Sequence, residues 1–396
     1  MTKGAGAAVW LLAGGQTLTY AGVYYAFPAL LPDLQAETGW SVAELALGPT
    51  LAFLVMAALT PFSGRWVDRG LGGEMLTFAP VLAALGVVGL GLAPSVPVWL
   101  GLWALIGVAQ AGSLYETCFA FLTRRMGDQA RGAITKVTLV AGFAGTLAFP
   151  LGDALARGLG GQGALIAFAG LVLLAAPVNA LAVHWLRKRE RAGAVRAEAE
   201  TGALRIALRR PAFWAIAVVF GLIYLNHGVL ITYVLLLFED RGAAATAATF
   251  AAACIGPSQV LGRLVLLLNA ARIGNTRATL FSLSAIAMAS GALLVAGVQP
   301  ALIFLFAGLQ GAGIGLISIL RPVLVAEILG RRGFGAISGA VAVAPILASA
   351  AAPSVGAGLL HLGGPWLIYL ACLAMALCGL IIGATLLWPR KANHIS

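Results

Sequence analysis

The chain has 396 residues, of which 61% are hydrophobic and 10% charged, and its mean hydropathy is +0.97. One or two soluble cores cannot bury so much apolar side chain, so an ordinary soluble enzyme is excluded. The net charge of +11 would indicate a nucleic-acid partner in a soluble protein. In a membrane protein the same excess orients loops, so we expect no nucleic-acid partner.

Twelve apolar stretches follow one another along the chain, each suited to a helix that crosses a bilayer. The first lacks the cleavage pattern of a signal peptide, so we expect a retained helix. We predict an all-α membrane protein with twelve transmembrane helices in two pseudo-symmetric six-helix bundles. The stretches lie near residues 9–31, 45–62, 75–92, 96–122, 134–155, 164–186, 212–238, 243–268, 278–298, 301–328, 336–360 and 366–387.

The basic residues predict the orientation of these helices, because cytoplasmic loops collect Lys and Arg. With both termini inside, 21 of the 25 basic residues fall in inner segments and two in outer loops. Arg263 and Arg321, the remaining two, fall within predicted spans. The pattern predicts an integral protein of the inner or plasma membrane with both termini cytoplasmic.

A basic segment divides the chain into halves that resemble each other. We predict an N-terminal bundle over 1–186, a cytoplasmic linker with a short amphipathic surface helix over 187–210, and a C-terminal bundle over 211–396. Duplicated six-helix halves with a substrate site between them are typical of transporters. At one offset of 203 residues the sequence repeats Gly132-Ala133-Ile134 as Gly335-Ala336-Ile337, Pro150 as Pro353, and Gly160-Gly161 as Gly363-Gly364.

Three ionisable residues lie deep in predicted spans, where each costs about 2.5 to 3.5 kcal/mol and indicates function. Arg263 is a predicted substrate ligand, because a guanidinium offers a planar fork of donors to a carboxylate. A packing role with a snorkelling side chain is the alternative. Arg321 either binds substrate, forms a salt bridge, or extends its charged group toward the inner membrane face. Glu116 is either a proton carrier or the partner of a static salt bridge to Arg321 or Arg263.

Polar residues cluster on the first and seventh spans, the paired first helices of the two halves. Residues four apart share a helix face, which groups Gln16 with Tyr20 and Tyr20 with Tyr24. We predict substrate contacts from these side chains, with a membrane-edge position as the alternative for Tyr24. On the seventh span the predicted substrate contacts are Tyr224 and Asn226, and His227 is either a proton relay or an interhelical hydrogen-bonding residue.

Other chemistry is not indicated by the sequence. Four cysteines fall within spans without metal-ligand spacing, and there is no P-loop motif. The spans hold no paired carboxylates, histidine cluster or nucleophile triad. We therefore expect no catalytic residue, no metal site and no cofactor.

Residues 64–70 read G-R-W-V-D-R-G, which resembles the G-x-x-x-D-R signature loop of the major facilitator superfamily. With twelve spans and a basic central loop, the resemblance covers the whole chain. It implies two bundles that rock about a central site. It also makes Asp68 and Arg69 gating residues, since the charges of this loop latch the inside-closed state in the family.

Three further features are Tyr25-Ala26-Phe27-Pro28, Gly39-Trp40-Ser41 and Arg263. Together they resemble the monocarboxylate transporter group. In that group a Lys follows the proline and an acid lies four residues before the arginine, and both help to bind the carboxylate and its proton. Ala29 and Gln259 occupy those positions here, and Gln259 is retained as a predicted substrate contact.

Together these features predict a secondary transporter of a small organic anion, a monocarboxylate, working by alternating access. Proton symport through Glu116 and His227 is a second expectation. The rival functions are an exporter of drugs or metabolites by proton antiport, a membrane receptor or scaffold without transport, and an integral-membrane enzyme. The expected partners are the small-molecule substrate and membrane lipids, and we expect a monomer.

Overall fold

A computed structural model describes residues 3–190, 202–269 and 272–387. These residues are helical almost throughout and contain no strand. Eight helical segments among them are long and apolar enough to cross a membrane, and two of these, Val96–Arg187 and Phe334–Leu387, are long enough for more than one crossing. Only helices and closed barrels satisfy all backbone hydrogen bonds in a bilayer, so a chain this apolar is suited to helices.

The first half contains eight α-helices within residues 3–190. A π-helical segment, Ala21–Tyr25, joins the first two, and a 3₁₀ turn, Gly127–Gln129, joins the sixth and seventh. The eighth has 47 residues and breaks at Gly160, where φ is +71°; one crossing needs about 20 residues, so this helix holds two. The helices are α1 (Lys3–Tyr20), α2 (Ala26–Thr38), α3 (Val42–Asp68), α4 (Gly72–Gly91), α5 (Val96–Ser113), α6 (Tyr115–Met126), α7 (Ala130–Ala141) and α8 (Ala144–Glu190).

The second half contains seven more helices among the described residues. The last has 54 residues and breaks at Gly363 and Gly364, so it also holds two crossings. Residues 191–201 of the predicted linker lie outside the described residues. The helices are α9 (Ala203–Leu208), α10 (Pro211–Thr232), α11 (Val234–Asp240), α12 (Ala245–Leu268), α13 (Asn275–Val295), α14 (Leu302–Ile328) and α15 (Phe334–Leu387).

The described helices supply the twelve predicted crossings, although several crossings consist of two helices. The first is α1 with α2, the fourth α5 with α6, the fifth α7 with the start of α8, and the seventh α10 with α11. Local sequence explains some of these ends. Gly39 ends α2 in the left-handed conformation, with φ +69°, and Ser41 with Glu44 forms a capping box that starts α3.

The chain forms two compact units. The first comprises residues 1–205 and 325–343, and the second comprises 206–324 and 344–396. The end of α14 and the start of α15 therefore pack with the first unit. The predicted bundles, 1–186 and 211–396, do not include this transfer of residues 325–343 to the first unit. The predicted division stays a prediction. The second unit has a core of buried apolar side chains that includes Phe238, Phe306 and Ile368.

Candidate functional site

The fourth crossing is interrupted within the first unit. α5 ends at Ser113, Leu114 has an extended backbone with ψ −171°, and α6 begins at Tyr115. The first crossing is irregular too, because its π-helical segment separates α1 from α2. Discontinuous helices and π segments are frequent at functional sites in membrane transporters. The sequence predicted one continuous span over residues 96–122, because no proline marks the break between Ser113 and Tyr115.

Side chains replace the backbone hydrogen bonds that this break removes. Gln16 Nε2 donates to the carbonyl of Ser113 at 2.7 Å, and the Thr117 hydroxyl donates to the carbonyl of Ala111 at 2.7 Å. Gln16 is completely buried. It therefore supports the broken helix, and its role as a substrate ligand stays a prediction.

Two buried amide oxygens accompany the break. Gln110 Nε2 donates to the carbonyl of Val23 in the π-helical segment at 3.2 Å. The Oε1 atoms of Gln16 and Gln110 find no hydrogen-bond partner among the described residues. Buried acceptors of this kind are costly unless water or a ligand satisfies them.

Tyrosine rings from the first and fourth crossings meet beside the break. The ring centroids of Tyr20 and Tyr115 are 4.4 Å apart, and those of Tyr20 and Tyr24 are 5.8 Å apart. The Tyr115 N–H donates to the Tyr20 hydroxyl at 3.4 Å. Glu116 follows in the first turn of α6 and is partly buried. The structure thus brings Gln16, Tyr20 and Glu116, all predicted site residues, to the same break.

Arg263 lies in the second unit, on α12, with its side chain 7% exposed. Its Nε donates to the carbonyl of Gly315 at 3.3 Å. Its Nη2 donates to Gln259 Oε1 at 3.4 Å and to the Ser318 hydroxyl at 3.5 Å. These three bonds are long and reach neutral oxygens. The structure therefore brings together two predicted residues, Arg263 and Gln259, and adds Ser318, which the sequence did not indicate.

Arg321 is the second buried arginine of this unit and is 6% exposed. It follows Ser318 by three residues on α14, so the two side chains are neighbours on the helix surface. Glycine permits α12 and α14 to come close, since a Cβ on Gly315 would lie 2.5 Å from the carbonyl oxygen of Gln259. Both buried guanidinium groups therefore belong to the neighbourhood of Ser318.

Asn226 on α10 is completely buried. Its Nδ2 donates to the Ser290 hydroxyl at 3.1 Å and to the carbonyl of Cys372 at 2.8 Å. Its Oδ1 accepts from Gln310 Nε2 at 3.1 Å. The amide thus links α10 to α13, α14 and α15, and its role as a substrate ligand stays a prediction.

Tyr224 and His227 belong to the same helix and are three residues apart, so they share a face. Both are partly buried. The Nδ1 atom of His227 lies 3.4 Å from Gln310 Nε2. Gln310 was not among the predicted site residues, because it stands without another polar side chain in the glycine-rich stretch 308–315.

The signature-like loop contacts the start of α15 within the first unit. The Asp68 carboxylate accepts the N–H groups of Gly335 at 2.8 Å and Ala336 at 2.9 Å. A helix start offers such unpaired N–H groups together with the positive end of its dipole. The Arg124 guanidinium donates to the Asp68 carbonyl, whereas the Arg69 side chain is exposed. The gating roles of Asp68 and Arg69 stay predictions.

Glycines permit this close approach. A Cβ on Gly335 would lie 2.1 Å from the carbonyl oxygen of Gly64, and a Cβ on Gly339 would lie 2.5 Å from that of Thr60. No real Cβ contact is so short, so α3 and α15 meet through their backbones. Across the described residues, no group of three or more His, Cys, Asp or Glu side chains could hold a metal ion.

Comparison with known families decides the class of protein. Residues 12–308 match the family described as Major Facilitator Superfamily. The chain belongs to the major facilitator superfamily. It is therefore a membrane transporter and not an enzyme, and the predicted fold class is confirmed. The resemblance to the monocarboxylate group stays a prediction.

Two solved structures share the fold. A bacterial homologue of the iron transporter ferroportin, in an outward-facing state, is 17% identical, with a TM-score of 0.75 and coverage of 96% of this chain and 99% of that one. The major facilitator transporter FucP, in an outward conformation, is 12% identical, with a TM-score of 0.72 and coverage of 95% and 98%. Identities this low show the fold alone.

A relative in sequence comes from Thermoproteus tenax. It is a 38 kDa protein of the 23S RNA operon, described as uncharacterized, and is 30% identical over 148 residues. The match covers 36% of this chain and 38% of that protein. It adds no substrate or partner to the superfamily assignment.

Proposed function

We propose that this transporter moves a small organic anion, a monocarboxylate, by alternating access. The observation that carries the proposal is the burial of the Arg263 guanidinium, which is 7% exposed and lies beside Gln259 and Ser318. A carboxylate suits such a group, because its two oxygens match the guanidinium fork in charge-assisted bonds. Charged groups inside membrane helices are retained where they serve a substrate or ion path.

Arg321 supports an anion over a cation. Its buried guanidinium belongs to the same α12–α14 neighbourhood as Arg263, and each buried positive charge raises the cost of bringing in a second cation. A cationic drug would need an acidic surface there. The rival function, export of drugs or metabolites by proton antiport, is therefore the second candidate.

The first unit supplies groups that suit an anion and a proton. The Tyr20 hydroxyl lies at the start of α6, beside Glu116. Tyrosine hydroxyls donate to carboxylates, and Glu116, in the first turn of α6, is the proposed proton carrier. Proton symport through Glu116 is the coupling we propose. For His227 we propose the alternative role of a hydrogen-bonding residue, because its Nδ1 atom faces Gln310 Nε2.

Asp68 is the proposed latch, since its carboxylate fastens α15 to the end of α3. Arg69 is the second proposed gating residue. The basic residues support an orientation with both termini in the cytoplasm, in the inner or plasma membrane.

The test is thermal unfolding of the purified full chain with monocarboxylates, organic cations and neutral metabolites. A ligand that binds the folded state raises the melting temperature by mass action. We expect a monocarboxylate to stabilise the parent, and Arg263→Gln to weaken its binding at least tenfold. Arg263→Lys keeps the charge but not the fork, so its binding should be intermediate.

The matched control is Arg157→Gln. Arg157 is also an arginine on a helix, but it is exposed and paired with Asp153 four residues away. It should bind the anion as the parent does. If organic cations alone stabilise the parent, or Arg263→Gln responds as the parent does, the anion proposal fails and the exporter takes its place.

A further inference from the structure

A chain of hydrogen bonds in the second unit begins at a backbone carbonyl and ends at His227. Asn226 Nδ2 lies 2.8 Å from the carbonyl oxygen of Cys372. That oxygen can only accept, so the nitrogen of the Asn226 amide must face it. The Oδ1 atom of Asn226 then faces away from Cys372. The main chain of α15 therefore fixes the orientation of this amide.

The orientation of Gln310 follows from that of Asn226. Gln310 Nε2 lies 3.1 Å from Asn226 Oδ1, an atom that only accepts. The same Nε2 lies 3.4 Å from Nδ1 of His227. An amide nitrogen carries two hydrogens and can donate one to each neighbour. Nδ1 of His227 is therefore an acceptor, and the ring proton of the neutral imidazole is on Nε2.

We propose that Asn226 and Gln310 are positioning residues that hold His227 as a neutral imidazole with its proton on Nε2, from where it donates a hydrogen bond to an oxygen of the transported anion. The anion rests on the proposed function. Asn226 and Gln310 are completely buried, whereas His227 is partly exposed. The two buried amides thus hold the ring on its Nδ1 side. Of these three side chains, the His227 ring is the one exposed enough to reach a ligand.

The other tautomer is disfavoured by the same geometry. A proton on Nδ1 would point at the hydrogens of Gln310 Nε2. Rotating the Gln310 amide would relieve that clash but bring its oxygen against Asn226 Oδ1. Either change loses a buried hydrogen bond, and an unmade buried bond costs more than a made one contributes.

Gln310 itself shows that this orientation is imposed. Its Oε1 atom has no hydrogen-bond partner among the described residues. A side chain that served only to satisfy its own polar atoms would place that oxygen against a donor. Its nitrogen instead bridges Asn226 and His227, which indicates that orienting the ring is its role.

The test is nitrogen NMR of the full chain labelled with ¹⁵N-histidine, since the two ring nitrogens report directly which one is protonated. The chain has four histidines, and His227→Gln assigns the signal. We expect the parent to show the Nε2–H tautomer. Gln310→Glu should move the proton to Nδ1 or add one there, because a carboxylate only accepts. Gln310→Leu should give a mixture of tautomers.

The control is Gln110→Leu. Gln110 is the buried glutamine of the fourth crossing and donates to a backbone carbonyl, that of Val23, in the other unit. It should leave the His227 signal unchanged. A parent with the Nδ1–H tautomer, or an unchanged His227 signal in Gln310→Leu, overturns the inference. Gln310→Leu answers the question if Gln310→Glu fails to fold.

Transport kinetics distinguish a positioning role of Gln310 from a role in stability alone. Gln310→Leu should raise KM for the anion about tenfold and change kcat less, since a ligand contact is lost and no step of the cycle is blocked. An unchanged KM overturns the ligand contact. If the NMR result is as expected but no carboxylate binds the parent, the proposed substrate class fails and the tautomer assignment stands without its ligand.

Discussion

Two acidic residues of the first unit each accept backbone hydrogen bonds at the start of a different helical segment. Asp68 accepts two successive backbone N–H groups at the start of α15, at 2.8 and 2.9 Å. Glu37 accepts two successive N–H groups just after the break in α8, at 2.7 and 2.8 Å. Each carboxylate satisfies donors that the helix leaves unpaired and opposes the positive end of its dipole. The two differ in what they fasten: Asp68 holds a helix of the other sequence half, and Glu37 one of its own.

This pair gives a prediction at the residue scale. Asp68→Asn and Glu37→Gln should each lower the free energy of unfolding by about 0.3 to 2 kcal/mol, because the amide loses the negative charge that opposes the helix dipole. Asp68→Asn should also change the transport rate, because α15 must leave α3 if Asp68 is a latch. Thermal unfolding and vesicle uptake measure the two effects. A transport defect as large in Glu37→Gln as in Asp68→Asn would contradict the latch.

Single residues were predictable from the sequence where a charge interrupts an apolar stretch. Arg263 and Arg321 are such residues, and the structure buries both side chains, while their roles stay predictions. Gln310 was missed, because no other polar side chain accompanies it in the stretch 308–315. The partners of Asp68 could not be predicted, since they lie 267 and 268 residues away along the chain.

At the scale of elements, the break between α5 and α6 is made by tertiary contacts. No proline lies between Ser113 and Tyr115, and neither Leu114 nor Tyr115 disfavours a helix strongly. The Gln16 side chain, 97 residues away, supplies the hydrogen bond that the Ser113 carbonyl lacks. In contrast, the breaks in α8 and α15 coincide with the paired glycines that the sequence repeat had marked. Local chemistry predicts the second kind of break and not the first.

Gln16→Leu tests whether the break depends on this bond. The variant leaves the Ser113 carbonyl buried without its donor, so the free energy of unfolding should fall by about 1 to 3 kcal/mol. Gln299→Leu is the matched control, since Gln299 is exposed. Thermal unfolding of the two variants in the same detergent gives the comparison. Equal melting temperatures would show that α5 and α6 separate without help from Gln16.

At the scale of the whole molecule, the two sequence halves keep a common plan and differ in detail. The fourth and tenth crossings each hold a buried glutamine, Gln110 and Gln310, that donates to residue 23 or 226 of the first or seventh crossing. The matched glycines 160–161 and 363–364 both break long helices. The sequence predicted this plan because the matches share one offset. The sequence could not predict which residue of a matched pair makes a close contact, since that depends on the helix that packs against each one.

Gly132 and Gly335 are matched copies in different surroundings, and they offer a test of that difference. A Cβ on Gly132 would have no atom within 4 Å, whereas one on Gly335 would lie 2.1 Å from the Gly64 carbonyl. Gly132→Ala should therefore be neutral or stabilise the protein by up to about 1 kcal/mol, through the helix preference of alanine. Gly335→Ala must push α15 away from α3 and lengthen the bonds to Asp68, so it should lower the melting temperature and change transport as Asp68→Asn does. Parallel unfolding and uptake measurements compare the two variants. Equal behaviour would mean that the α3–α15 contact contributes nothing to either property, and that Asp68 acts in some way other than by fastening α15.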